Sequence, residues 1–378
     1  MTDPKVALCL GGGGVTGAMY QIGALAALED AVEGLQANDF HLYMGASSGA
    51  SVAAALAGGR PVQRIYRAVL DPADDYFPLE RKHLIRMDLV EWKRAIVSAW
   101  EALQQGTESL LSRTPAPAPA ALWEQLDRFY DSLPAGFFSL EAYERFLEDF
   151  FIRRGVPNNF AAMPRQLRIM AHDLDSGESV LFGDRGFDHV AVSRACIASM
   201  ALPPFYSPVR IGGRHYIDAG AAQVEHLDAA VHWGADVVVL VNPLVPVVAA
   251  SVPTGHGRRE SVRDKGLMWV SSQAMRIASH KLLAEACQRI QAGGATDVVL
   301  IEPEPTDGIL FLHNPASFAA RRQILEYGYL TTRARLSKWF AGGAAALQRA
   351  GWRTSTPPPS SRSAPSPEVP PLSRPDGT

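Results

Sequence analysis

The stretch Gly45-Ala46-Ser47-Ser48-Gly49 lies between a short apolar run, "HLYM", and a small-residue run, "ASVAAALAGG". A serine with a glycine two positions to either side, between strand and helix, has the spacing of a nucleophile elbow. The tight turn strains the serine backbone, and its neighbours must be nearly side-chain-free to avoid collision. The turn lifts the hydroxyl to the N-terminus of the next helix, where main-chain N–H groups and the helix dipole favour negative charge. The chemistry implied is attack of Ser47 on a carbonyl carbon. Ser48 competes by type but lacks the symmetric glycines.

A second motif, "GGGGVTG" at 11–17, follows the apolar run "KVALCL" and precedes "AMYQIGALAALED". Gly12-x-Gly14-x-x-Gly17 has the spacing of a dinucleotide-binding loop, which also needs an acidic residue near the end of the second strand. No carboxylate lies between Asp39 and Asp71, and no Gly-Lys-Ser/Thr follows to make a phosphate loop. Adjacent parallel strands would instead set this loop beside the elbow. Gly12, Gly13 and Gly14 then point main-chain donors at the oxygen of the carbonyl that Ser47 attacks. Such donors are typically worth about 2.7–4 kcal/mol each in the transition state. Glycine is required because a side chain would block close approach. The loop is expected to hold a transient oxyanion.

A serine nucleophile needs a base, and here the residues leave the choice open. His172, His215, His226, His232, His256, His280 and His313 are all available for a Ser-His-Asp arrangement, and none has a distinguishing context. Asp218, in "RHYIDAGAA", stands at the end of a strand-like run before a small flexible turn, where α/β sheets collect catalytic groups. A carboxylate acting directly as base must be tuned by burial. Outside such a context it would read as a turn or cap residue.

Positioning these groups takes a sheet. Strand, glycine loop, helix, strand, turn and helix within the first 60 residues predict parallel strands with helices on both faces. Further strands are expected in "RQLRIMAHDL", "SVLFGD", "YIDAG", "ADVVVLVNP" and "TDVVLIEP". Helices are expected in "KGLMWVSSQAMRIASHKLLAEACQRIQAG" and "PASFAARRQILEYGYLTTRARLSKWF". Residues 61–165 read as a helical cap inserted into this sheet. Within it Ile85, Leu89, Trp92, Ile96, Trp100 and Leu103 share one helical face, expected to pack as core, with a membrane-anchoring face as the alternative. "TPAPAPA" at 114–120 reads as a stiff spacer. "SLEAYERFLEDFF" opens a helix at Ser139 with an incomplete capping box. From about 352 the chain turns Pro- and Ser-rich and is expected to be disordered.

Composition bounds the function. The chain has 378 residues, 47% hydrophobic and 20% charged, enough for one large α/β domain or two smaller ones. A net charge of -3 gives no global attraction to nucleic acid, and its basic pairs are too scattered to make a stripe. Cys9, Cys196 and Cys287 lack metal-ligand spacing and read as buried free thiols of a reducing compartment. "MTDPKVALCLGGGG" lacks the basic start of a secretory signal, and no apolar run is long enough to span a bilayer. A cytoplasmic location is expected, with any membrane contact peripheral, at a lipid surface.

The glycine loop, "GASSG" and "YIDAG", in this order, resemble the motifs of patatin-like phospholipases, lipid acyl hydrolases that use a Ser-Asp dyad. The stretches "LRIMAHDLDSGESVLFGD", "AVSRACIASMALPPFYSPVRIGGRHYIDAG", "WGADVVVLVNP" and "LEYGYLTTRARL" extend the resemblance over about residues 5–340. It implies a three-layer α/β/α sandwich with a mainly parallel sheet. The domain would run over 1–350, with the cap at 61–165 and a tail at 351–378. It also implies Ser47 as nucleophile, Asp218 as general base, and an oxyanion hole at Gly12, Gly13 and Gly14. Gly17, Gly45, Gly49 and Gly220 are the motif glycines. An acyl-lipid ester, of phospholipid or neutral lipid, is the implied substrate, with no metal and no cofactor. The chain departs from the family pattern at Thr16, where Lys or Arg is usual, and at Ala219, Val224 and His226 after the base. These departures leave a catalytically weak or inactive lipid-binding protein of the same fold as the alternative. His226, close after Asp218, is a further candidate for proton transfer.

Overall fold

The computed structural model describes residues 4–71, 73–98, 100, 132–219, 223–249, 261–313, 317–341 and 348–354. In chain order the strands are β1 Val6–Leu10, β2 Val32–Glu33, β3 Leu42–Ala46, β4 Gln166–Asp173, β5 Ser179–Phe182, β6 Val209–Ile211, β7 Arg214–Asp218, β8 Val237–Val241, β9 Asp297–Ile301 and β10 Arg353–Thr354. The helices are α1 Gly14–Ala31, α2 Ser48–Ala57, α3 Val62–Leu70, α4 Arg81–Leu84, α5 Glu141–Arg154, α6 Val192–Met200, α7 Gln223–His232, α8 Leu267–Gly293, α9 Ile309–Leu312 and α10 Arg321–Ala341.

β1, β3 and β8 are apolar or small and buried at every position, as strands covered on both faces must be. The eight-stranded sheet runs β6-β7-β4-β3-β1-β8-β9, with β5 also paired to β4, while β2 and β10 form a separate two-stranded ladder. It is parallel from β4 through β9 and antiparallel where β5, β6 and β7 join.

Alternation along the strands makes two cores. Leu8 and Leu10 of β1, Tyr43 of β3 and Ala171 of β4 pack with α1, α2 and α6. Ala7 and Cys9, with Leu42 and Met44, pack on the other face against Leu227 of α7 and Leu283 of α8. The result is the expected α/β/α sandwich. Full burial of a side chain such as Leu8 is worth about 1.5–3 kcal/mol, which is why the strands need no propensity beyond their apolar content.

Three expectations are corrected. α1 starts at Gly14 rather than at Ala18, because the Gly17 N–H already donates to the Gly13 carbonyl at 3.0 Å and closes a first turn inside the glycine loop. α5 starts at Glu141 with Leu140 as N-cap, and Ser139 Oγ only accepts from the Glu141 N–H at 3.3 Å. The apolar face expected as core in the cap is largely in solvent: Leu89 is 74% exposed, Ile96 64% and Trp100 59%. Trp92 is half-buried, its Nε1 donating to the Phe137 carbonyl.

Leu103, the spacer at 114–120 and residues 355–378 of the expected tail lie outside the described residues, while the start of that tail, expected to be disordered from 351, is ordered through the pairing of β10 Arg353–Thr354 with β2. No helix among the described residues is long and apolar enough to cross a membrane.

Candidate active site

Ser47 has φ 53° and ψ −129°, and it is the one non-glycine residue with positive φ among those described. That region costs on the order of 1–3 kcal/mol for a side-chain-bearing residue and persists only where its surroundings enforce it. Sheet register supplies the enforcement. Ala46, the last residue of β3, pairs with Met170 of β4, whose other edge faces Leu181 of β5. The next residue of β4, Ala171, faces Val180 of β5 on that same outer edge and Asp218 of β7 on the inner one. β3 and β7 therefore meet end to end along one edge of β4, running in opposite directions. Asp218 occupies the position that Ser47 would take if β3 continued. The chain must leave the sheet at Ser47, and it does so through the strained turn.

The glycines fit this geometry. A Cβ on Gly45 would lie 2.6 Å from the Ala50 Cα, and one on Gly49 would collide with the carbonyl oxygens of Leu10 and Gly11. The first turn of α2 thus rests on the start of the glycine loop, as the pairing of Leu10 with Gly45 requires. Inside the loop Gly13 has φ 135°, and a Cβ there would meet the Gly17 Cα at 3.0 Å. Gln21, fully buried on α1, donates from Nε2 to the Gly11 carbonyl and pins the loop from below. The N–H groups of Gly12, Gly13 and Gly14 donate to no acceptor among the described residues. Gly220 lies outside the described residues.

Sequence reasoning missed the segment that ties the two halves together. The Ser47 N–H donates to Ser199 Oγ at 2.8 Å, and Ser199 Oγ donates to the Met170 carbonyl at 2.5 Å. Two residues on, the Ala201 carbonyl accepts the Asp218 N–H at 3.0 Å. The end of α6 thus fixes both backbones at once. Ser199 thus already engages the N–H of Ser47. The signal lay in "ACIASMALPP", where a lone serine stands in an apolar helical run.

Around the pair, Tyr143 OH donates to Ser51 Oγ at 2.9 Å, one helical turn after Ser47. Burial, then the negative charge of Asp218, pushes the Tyr206 phenol up to about 12. His172 is held above the usual histidine range by the close Glu225 carboxylate, with the charge of Asp218 adding to it, against the opposing effect of burial. Its Nε2 stands 3.5 Å from Glu225 Oε2.

The rival residues are placed elsewhere. Ser48 opens α2 with its Oγ buried and without a partner, so it offers no reachable hydroxyl. His226 is fully buried, and its main-chain carbonyl lies over Cys9, on the face of the sheet away from α2 and α6. Neither of its ring nitrogens has a hydrogen-bond partner, and burial lowers its pKa to about 4. A neutral ring behind the sheet is a poor proton carrier for Ser47. A cleft of about 700 Å³ between α4 and α5 contains neither Ser47 nor Asp218.

A three-layer sandwich carrying a strained serine at a strand-to-helix turn has the architecture of an α/β hydrolase. The patatin-like phospholipase family model matches residues 8–231, more than half of the chain, and the protein belongs to that family. A lipid hydrolase is the class of protein that this membership supports. No curated protein matches the chain. Among solved structures it is similar to VipD from Legionella pneumophila, at 15% identity and TM-score 0.37, over 89% of this chain and 67% of that one. It is also similar to ExoU, in its complex with SpcU from Pseudomonas aeruginosa, at 15% identity and TM-score 0.30, over 92% of this chain and 61% of that one. Human GIVD cytosolic phospholipase A2, in complex with methyl gamma-linolenyl fluorophosphonate, matches at 11% identity and TM-score 0.34, over 92% of this chain and 60% of that one. The chain thus spans about two thirds of these proteins' lengths or less. Likeness this distant adds nothing to the site, whose description stands on the geometry above.

Proposed function

We propose that the protein is a serine lipid acyl hydrolase that cleaves carboxylic esters of phospholipids or neutral lipids through Ser47 and Asp218. Ser47 Oγ attacks the ester carbonyl while Asp218 accepts its proton. The tetrahedral oxyanion rests on the N–H groups of Gly12, Gly13 and Gly14. Collapse of the intermediate breaks the bond to the alcohol, which leaves with the proton from Asp218, and an acyl-Ser47 ester remains. Asp218 then takes a proton from water, the hydroxide adds to the acyl carbon, and the fatty acid is released with Ser47 restored. Three buried thiols suit a reducing, cytoplasmic setting.

The observation that carries this reading is the end-to-end meeting of β3 and β7 on one edge of β4, with a strained serine at the junction. The test is labelling of the full-length protein with a fluorophosphonate, alongside release of fatty acids from a mixed lipid extract followed by mass spectrometry. Ser47→Ala should lose both signals, Asp218→Asn should lose at least about 10⁴-fold in turnover, and Ser48→Ala should keep both. Labelling of Ser47→Ala as strong as that of the parent protein overturns the assignment.

A further inference from the structure

The cap displays apolar side chains that no part of the described protein covers. Ile85 is 46% exposed, Met87 52%, Leu89 74% and Val90 78%, and the ridge continues through Ile96 of the helical stretch 89–98 and through Trp100. Isolated exposed apolar residues are ordinary, but a contiguous run of this kind marks a contact surface.

The charges beside the ridge say what kind of surface it meets. Residues 81–98 carry five basic side chains (Arg81, Lys82, Arg86, Lys93 and Arg94) against the acidic Asp88 and Glu91, in a chain whose net charge is -3. Next to the ridge opens the cleft of about 700 Å³ between α4 and α5, with Phe146 in its floor and Lys82, Arg86, Arg145 and Arg153 on its walls. Its two carboxylates are already engaged, Glu80 by Lys82 and Asp149 by Arg153. Arg86 and Arg145 have no carboxylate partner among the described residues and face solvent. Exposed apolar side chains flanked by uncompensated arginines match a surface that is apolar beneath and negative at its skin, which is an anionic lipid leaflet.

The ridge is also wired to the candidate site. Met87 bridges to Phe138, and Phe138 bridges in turn to Tyr206. Main-chain bonds from Asp88 to Phe137 (3.2 Å) and from Ser207 to Phe138 (3.0 Å) complete this ladder, and its last rung, Tyr206, donates its N–H to the Leu202 carbonyl, next to the Ala201 carbonyl that accepts the Asp218 N–H.

We infer that the ridge formed by residues 85–98 and Trp100 and the basic cleft between α4 and α5 form one docking face for an anionic phospholipid bilayer. Bound there, the protein holds its strand-end serine and carboxylate near the lipid it is to cut. That purpose rests on the proposed hydrolase reading; the docking itself does not.

The experiment therefore measures binding without chemistry, on the full-length Ser47→Ala protein, by co-sedimentation with vesicles of phosphatidylcholine alone or mixed with phosphatidylglycerol. About tenfold or stronger preference for the mixed vesicles is expected, since each basic residue near such a surface contributes roughly fivefold. Arg86→Glu with Arg145→Glu, and separately Leu89→Asp with Val90→Asp, should each lower binding about tenfold or more. Ile277→Asp with Leu282→Asp, exposed apolar residues of α8 on the other layer, should leave it unchanged. Thermal unfolding of each variant checks that it is folded. Equal binding to both vesicle types, full binding by the cap variants, or equal loss in the α8 variant overturns the proposal. A lack of ester hydrolysis by the parent protein, with Ser47 intact, would remove the hydrolase reading and leave these binding results readable.

Discussion

α2 and the helical stretch at 89–98 look alike as sequence and differ as structure. α2 is rich in alanine and is buried at all ten positions, pressed between the sheet and its neighbours. The 89–98 stretch shows a regular apolar face with larger side chains, yet Leu89, Val90 and Ile96 stand in solvent. Helical periodicity reports that a face seeks an apolar partner; it does not say whether that partner is protein or lipid. The small side chains of α2 carry a different message. They are what a helix needs when it must approach a sheet closely enough to aim its N-terminus at a single atom.

Three changes would break or sharpen this contrast. Gly13→Ala should have the largest effect, because its backbone at φ 135° excludes a Cβ that would meet the Gly17 Cα. If that loop binds the oxyanion, kcat on a soluble short-chain ester should fall about 10²–10³-fold with little change in KM.

The second concerns the face behind the sheet. Burial lowers His226 to about 4, below its unfolded value of about 6.5. A histidine buried neutral contributes its stability fully above the unfolded pKa and loses it as pH falls toward the folded one. Urea unfolding should therefore show a loss of about 3 kcal/mol between about pH 7 and about pH 4, and His226→Leu should flatten that decline. An unchanged slope in the variant would mean that the acid sensitivity arises elsewhere.

The smallest effect belongs to the cap. Leu89→Ser, at 74% exposure, should shift folding stability by less than about 0.5 kcal/mol, whereas Leu8→Ala in the sheet should cost about 2–5 kcal/mol. A cap substitution as costly as the sheet one would show that the ridge is covered within the protein after all.

What the sequence made legible was local. Glycine at fixed offsets is demanded by the backbone itself, so the loop and the elbow stand out in one chain without relatives. All-apolar runs of five residues between turn signals gave the central strands for the same reason. The pairing of Asp218 with Ala171, the bridge through Ser199 and Ala201, and the place of Tyr206 were not legible, because each depends on segments far apart in the chain. "YIDAG" reads as a strand in isolation, but nothing in it states that it runs against β4 rather than along it. The early start of α1 was hidden too, since glycines look like a loop even where a turn of helix has already closed.

The head-on junction of β3 and β7 has a consequence for how the molecule comes into being. Neither strand touches the other along its length, so β4 is the rail that aligns their tips. A nascent or partly refolded chain in which that rail has not yet seated presents a serine and an aspartate with no fixed relation between them. The proposed hydrolysis would thus be impossible until the middle of the sheet has assembled.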